Sequence, residues 1–254
     1  LDVLFPWESR SWMNVNINRK QSEYLINTKG HNPANVTEIG TAVDSSEYSN
    51  INKRKQIESM YQMEKMLSRY HDEALISYSV KDVLDYKLVD RKNPEPIYIG
   101  YKTKAMHKFL SENIIFLQPT RVISRKRIEL GFDLIQKMLK VDSLKDKIRE
   151  SSDFKITVLI TGPIPLGQYA YFQKLLKCFQ ALLNSIDREF RKRVYLGFLF
   201  SEADKERFKN QFESPIGIPE LYSISSLILL PSKTEGRGLP ILEAAAAGVP
   251  IFCR

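Results

Sequence analysis

LILLPSKTEGRGLPILEAAAAGVPIFCR, residues 227–254, reads as an apolar strand, a glycine-broken loop, an alanine-rich helix and a second short strand. The loop holds Glu235 and the helix carries Glu243. Strand, glycine turn and helix N-terminus in that order make an anion site, because unpaired backbone N–H groups and the positive end of the helix dipole face one cleft. Gly236 and Gly238 let the backbone turn tightly and approach a ligand with no side chain between. Pro240 suits the first helical turn, where its missing N–H is not needed. The N–H groups of Arg237, Gly238 and Leu239 are then available to a phosphate, Glu243 to ribose hydroxyls and Glu235 to the hydroxyls of a sugar. A plain preference of carboxylates for a helix N-terminus would account for the glutamates but for none of the glycines.

Working outward, residues 111–226 are rhythmic. NIIFLQPT, KITVLITGP and VYLGFLF are continuous apolar runs, separated by the helical patterns RKRIELGFDLIQKMLKV and QYAYFQKLLKCFQALLNSI, with ADKERFKNQF as a further short helix. Such runs suit strands covered on both faces, and their alternation with helices predicts an α/β fold, a Rossmann-like parallel sheet with flanking helices. Ligands of such sheets bind beyond the carboxyl ends of the strands. Arg121, Gly162 and Glu235 each follow one of the strands.

Before residue 111 the character differs. The aromatic-rich opening lacks a clear period and reads as a strand end followed by a loop, in which Trp7, Glu8, Arg10 and Trp12 either pack onto a core, the favoured reading, or line a sugar site by stacking and hydrogen bonding. KQSEYLINT is a helix that Gly30 ends, and VTEIGTAVD is a short strand from Val36 into a turn at Asp44. In the next stretch Ile57, Met60, Tyr61, Met63, Met66 and Leu67 fall on one helical stripe, and Pro94 and Pro96 mark a break. The domain reading is a remnant of an N-terminal unit and hinge over 1–44, a helical connector over 45–110, and a ligand-binding Rossmann-like domain over 111–254, incomplete at its C-terminus. A start at Leu1 and a close at Arg254 directly after an apolar strand predict a fragment.

A hydrophobic fraction of 43% and a charged fraction of 27% are those of an ordinary globular chain. No apolar run approaches the ~20 residues that span a bilayer. The formal net charge of +8 fits an anionic partner, and nucleic acid, acidic lipid and phosphorylated small molecules all satisfy it. No basic run interleaved with aromatics points to nucleic acid. Peripheral membrane contact stays open. Two cysteines, Cys178 and Cys253, are too few for a disulfide framework or a four-ligand zinc site, which favours a reducing cytoplasm. His71 and His107 have no partners at ligand spacing, so no metal is expected.

The segment PSKTEGRGLPILEAAAAGVPI resembles the signature of the retaining GT-B glycosyltransferases of family 4: a strand, Pro-Ser, Glu-Gly-x-Gly-x-Pro-x-x-Glu, an alanine-rich helix and Gly-x-Pro. The resemblance implies that Glu235 contacts the donor sugar and Glu243 the nucleotide ribose. Arg237 stands between the glycines, where the family often has an aromatic or small residue. LQPTRVISRKRIELGFDLI resembles the segment whose Arg and Lys, here Arg121 and Lys126, grip the donor diphosphate. The family often has Gly after that Lys, and this chain has Arg127. TGPIPLG stands in the place of a glycine-rich turn, and IPELYSISSLILLPS is similar to the helix–strand unit before the signature, with Tyr222 as a packing residue. VTEIGTAVD resembles the hinge between the two domains. The likeness is weak over residues 21–44 and strong over 113–254, and covers the C-terminal half of a GT-B fold.

What the resemblance implies is transfer of a hexose from a UDP- or GDP-sugar to an acceptor hydroxyl, with retention at the anomeric carbon and no cofactor or metal. Arg121, Lys126 and Glu235 would carry catalysis; Gly162, Gly236, Arg237, Gly238, Leu239 and Glu243 would bind the donor. The partners would be a nucleotide-sugar donor, an unidentified acceptor, and an N-terminal domain or partner chain. A non-catalytic nucleotide-sugar-binding or assembly module, and a GT-B sugar phosphorylase or epimerase, remain alternatives.

Overall fold

The computed structural model describes residues 13–49, 51–72, 97–100, 112–199 and 216–254. Expectations for Trp7, Glu8, Arg10, Trp12, Pro94, Pro96, His107 and the helix ADKERFKNQF lie outside these residues, as do those for the side chains of Met66, Leu67 and His71.

A short N-terminal unit pairs β1 (Asn14–Asn16) in parallel with β2 (Val36–Glu38) through helix α1 (Arg19–Asn27). Asn18 caps α1, its side chain accepting from the Gln21 N–H at 2.9 Å, and Gly30 takes the left-handed φ of 71° beyond its end. The strand at Asn14–Asn16 falls where the sequence predicts loop. Its pattern is inverted: Asn14 and Asn16 are buried while Val15 is exposed. The asparagines are satisfied inside, Asn14 on His31 Nδ1 at 3.1 Å and Asn16 donating to Ser22 Oγ at 3.2 Å, so a hydrophobicity pattern could not show them.

The main sheet has the order β3-β6-β5-β4-β7-β8. Its members are β3 (Ile97–Ile99), β4 (Asn113–Gln118), β5 (Lys155–Ile160), β6 (Val194–Phe198), β7 (Leu227–Leu230) and β8 (Ile251–Cys253). β4 to β8 are parallel, and β3 adds an antiparallel edge that the sequence reading placed in the connector. The helices in chain order are α2 (Ser45–Ser49), α3 (Lys53–Asp72), α4 (Glu129–Met138), α5 (Asp142–Glu150), α6 (Tyr169–Ser185), α7 (Arg188–Arg191), α8 (Ile218–Ile224) and α9 (Leu239–Ala247).

The period of two along each strand divides the core. Phe116, Ile156, Val158, Ile160, Val194, Leu196, Phe198 and Leu229 face a layer built on Phe132, Phe172 and Phe179. Ile115, Leu117, Leu159, Tyr195 and Ile228 face the other, with Leu221, Tyr222 and Ala244. Tyr48 and Met63 join this second layer, so α2 and α3 pack against the sheet unit. Gln56 Nε2 donates to the Ser223 carbonyl at 2.9 Å and Lys55 meets Glu220 at 2.9 Å. The buried stripe of α3 is rotated from the one the sequence suggests. Ser59 and Met63 are buried, Ser59 satisfied by the Lys55 carbonyl, whereas Ile57 and Tyr61 are 57% and 65% exposed. At the far edge β8 is not covered on both faces as its apolar run predicts, since Phe252 is exposed.

Strand β4 starts the parallel set. The chain leaves it for β5 and β6 on one side and reaches β7 and β8 on the other. The strand order therefore reverses between β4 and β7, and there the loops beyond adjacent strands part to leave a crevice.

Candidate functional site

Three loops and one helix end meet at that crevice. The loop after β4 supplies Pro119, Thr120, Arg121 and a 3-10 turn at Ser124–Lys126; the loop after β5 supplies Thr161 and Gly162; the loop after β7 leads through Glu235 to the start of α9. They enclose a cleft of about 570 Å³, within the range of ordinary small-molecule sites. All nine residues singled out from sequence, Arg121, Lys126, Gly162, Glu235, Gly236, Arg237, Gly238, Leu239 and Glu243, line it. Ile216, Ile218 and Leu221 add an apolar wall that sequence reasoning did not name.

The loop after β4 is fixed from several sides. Gly162 N–H donates to the Thr120 carbonyl at 3.0 Å and Val122 N–H to the Pro163 carbonyl at 3.0 Å. A Cβ on Gly162 would stand 2.6 Å from backbone atoms of Thr120 and Arg121, so its glycine is required by chain packing on chain. The Ser124–Lys126 turn ends in Arg127 at φ 49° and ψ 45°, the one positive φ among described residues other than glycine. A left-handed residue here lets the chain turn at once into α4. That conformation explains why glycine suits the position, and Arg127 adopts it under strain. Beyond it, Tyr171 accepts the Ile128 N–H at 2.9 Å and donates to Glu129 at 2.6 Å, pinning the start of α4.

Lys126 reaches across the cleft to Glu235, Nζ to Oε1 at 2.6 Å. Alongside, Arg125 donates to the Thr234 carbonyl at 2.9 Å and Lys233 N–H to the Arg125 carbonyl at 2.8 Å, so the two loops are tied by backbone as well as charge. The Lys126 and Glu235 side chains keep only 11% and 23% exposure, which shields the pair from solvent more than a surface ion pair. Burial works against the ionised form of Glu235. The Lys126 ammonium and the nearby Ser232 hydroxyl, with the charges of Lys126 and Arg125, outweigh it and hold the carboxyl below the usual carboxylate range. Ser232 Oγ favours the carboxylate by proximity alone, since its geometry does not meet that of a hydrogen bond. Arg121 is exposed at the mouth and has no carboxylate partner among the described residues.

On the opposite wall α9 begins at Gly238, whose φ of 66° is left-handed, with Pro240 in the first turn. One turn in, Glu243 accepts a hydrogen bond from Tyr222 Oη at 2.6 Å. Tyr222 is fully buried, so it packs as the sequence suggests, yet its hydroxyl also holds Glu243, which lines the cleft. Burial, then the bond to Glu243, push that hydroxyl far above the ordinary phenol range. Tyr48 from α2 lies beside it, ring centroids 5.5 Å apart and planes at 90°, and burial followed by the Glu243 charge raises its hydroxyl likewise. Both phenols stay neutral, and that of Tyr222 is the donor to Glu243. Among described residues no helix is long and apolar enough to cross a membrane, and no three His, Cys, Asp or Glu side chains gather at metal-binding distance.

The chain is similar in sequence and fold to known proteins. Residues 198–254 match the family model of Glycosyl transferases group 1. A mannosylglucosylglycerate synthase from Petrotoga mobilis is 28% identical over 149 residues, covering 56% of this chain and 31% of that protein. The crystal structure of a glycosyltransferase from Rickettsia africae ESF-5 superposes with a TM-score of 0.53 at 12% identity, over 95% of this chain and 44% of its own. The chain thus spans about a third of the curated relative's length and under half of the solved one's. The fold is α/β, a Rossmann-like parallel sheet with flanking helices that superposes on the solved glycosyltransferase, and residues 198–254 are similar to a glycosyl transferases group 1 domain.

Proposed function

We propose that the cleft binds a nucleotide sugar and that the protein of which this chain is part is a retaining glycosyltransferase of the family 4 kind. It would move a hexose from a UDP- or GDP-sugar to an acceptor hydroxyl. The observation that carries the proposal is the convergence of Lys126 and Glu235, 109 positions apart in sequence, at 2.6 Å beside the N-terminus of α9. A cation, a carboxylate and free helix N–H groups in one cleft suit a ligand that is anionic at one end and hydroxylated at the other.

In this reading Arg121 and Lys126 stabilise the leaving nucleoside diphosphate as its charge develops, aided by the N–H groups of residues 237–239. Gly236 leaves that approach open, since nothing lies within 4 Å of where its Cβ would be. When the diphosphate takes Lys126, Glu235 is released to accept hydroxyls of the sugar. Glu243 holds the ribose, and Ile216, Ile218 and Leu221 offer the base an apolar wall. Retention follows if the acceptor attacks on the face the diphosphate leaves, with a diphosphate oxygen taking the acceptor proton. In this reading Arg121, Lys126 and the helix N–H groups supply the charge stabilisation this requires.

The test is to incubate the full-length protein with UDP- and GDP-hexoses and a panel of hydroxylated acceptors, and to read the product's anomeric configuration by proton NMR. Transfer with the donor's configuration supports the proposal. An inverted product contradicts retention, turnover only with inorganic phosphate indicates a phosphorylase, and acceptor-independent change of the donor sugar indicates an epimerase.

A further inference from the structure

We infer that Tyr222 and Tyr48 are positioning residues for Glu243, and that through Tyr48 helix α2, which precedes the sheet in sequence, is a working part of the ligand site. The inference rests on the reading of the cleft as a nucleotide-sugar site in which Glu243 holds the ribose. A glutamate one turn into a helix has free torsions, and a carboxylate that must meet two vicinal hydroxyls needs them fixed. The bond from Tyr222 Oη to Oε2, at 2.6 Å, is short and charge-assisted. Tyr222 itself cannot shift, because its ring is fully buried among Leu221, Ile228 and Ala244.

Tyr48 backs this arrangement from a different part of the chain. It is 9% exposed, meets Tyr222 edge to face, and lies near enough to Glu243 for that carboxylate to raise its hydroxyl. Helix α2 is held at its start by Asp44, which accepts from Ser46 N–H at 2.9 Å and Ser46 Oγ at 2.6 Å, and it packs on α8 and α9. The chemistry of the donors matters. A lysine or arginine would orient Glu243 but also neutralise it, as Lys126 does Glu235. Neutral phenols orient the carboxylate and leave its charge to attract sugar hydroxyls. The competing explanation is that Glu243 only satisfies a buried tyrosine hydroxyl.

Calorimetric titration of the full-length protein with UDP and GDP, and with their 2′,3′-dideoxy forms, separates these. The proteins compared are wild type, Tyr222→Phe, Tyr48→Phe, Glu243→Ala and the Glu243→Ala/Tyr222→Phe double variant, each with a thermal melt. Wild type should prefer the ribonucleotide. Each tyrosine variant should lose roughly fivefold or more in ribonucleotide affinity with little change for the dideoxy form. Tyr222→Phe should cost nothing further once Glu243 is alanine. Equal weakening of both nucleotide forms, or unchanged discrimination in folded variants, overturns the inference while leaving the nucleotide-sugar reading intact. Unchanged discrimination in Tyr48→Phe alone overturns the part assigned to α2. Failure of wild type to bind either nucleotide overturns that reading and this inference together.

Discussion

The two glutamates of the cleft sit eight positions apart in one segment and are held by opposite means. Glu235 is clamped by an ammonium from the neighbouring loop, so its side of the cleft is a closed ion pair. Glu243 is clamped by a phenol from the core behind it, so its side keeps an oriented, unneutralised carboxylate. The difference teaches what each can do when a ligand arrives. In the proposed reading the Lys126–Glu235 pair opens as a diphosphate takes the lysine, which couples binding of the anionic part to release of the carboxylate for the sugar. The Glu243 side has nothing to give up and presents a fixed template.

The most severe way to break this contrast is Lys126→Ala. It removes the proposed leaving-group cation and strands Glu235, and should lower kcat/KM in a transfer assay by about 10²- to 10³-fold. A comparable loss from Arg121→Ala with little change at Lys126 would instead place the leaving-group charge at the cleft mouth. Next in size is Gly162→Ala, which drives a methyl against the Thr120–Arg121 backbone. It should destabilise the fold by about 1–3 kcal/mol in denaturant titration and loosen the Lys126 side while the Glu243 side keeps its geometry.

Acid should separate the two sides more gently. The folded-state pKa of Glu235 is depressed, so the stability it contributes is fully present above the unfolded value, near pH ~4.3, and is lost as pH falls through the folded value. Glu235→Gln should therefore flatten the fall in melting temperature below about pH 4, seen by following unfolding against pH. The smallest effect is a gain. Arg127→Gly relieves a left-handed residue at a small entropic cost and should stabilise the protein by up to about 1 kcal/mol in the same titration.

Much of this was legible in the chain for a physical reason. Continuous apolar runs such as NIIFLQ and KITVLI suit strands buried on both faces, and the crevice beyond them follows from the alternation with helices. The glycines and glutamates of residues 235–243 line one cleft, where local backbone requirements are written in local residue types. What was not legible depends on partners far away in sequence. Gly162 is a glycine because the 120–121 backbone crosses it, and Tyr222 looked like packing because its hydroxyl meets a residue 21 positions on. The strand at Asn14–Asn16 was missed because its buried residues are polar, and the α3 stripe was misjudged because Ser59, not Ile57, is buried. The antiparallel β3 was hidden in a short segment that follows prolines and joins the sheet only by its register with β6.

A crystal structure of the protein with UDP or GDP tests the central claim most directly. The account predicts the diphosphate against Arg121, Lys126 and the N–H groups that begin α9, the ribose hydroxyls on Glu243, and Glu235 parted from Lys126. A nucleotide bound outside this cleft, or bound in it with the 2.6 Å Lys126–Glu235 pair still closed, would contradict it.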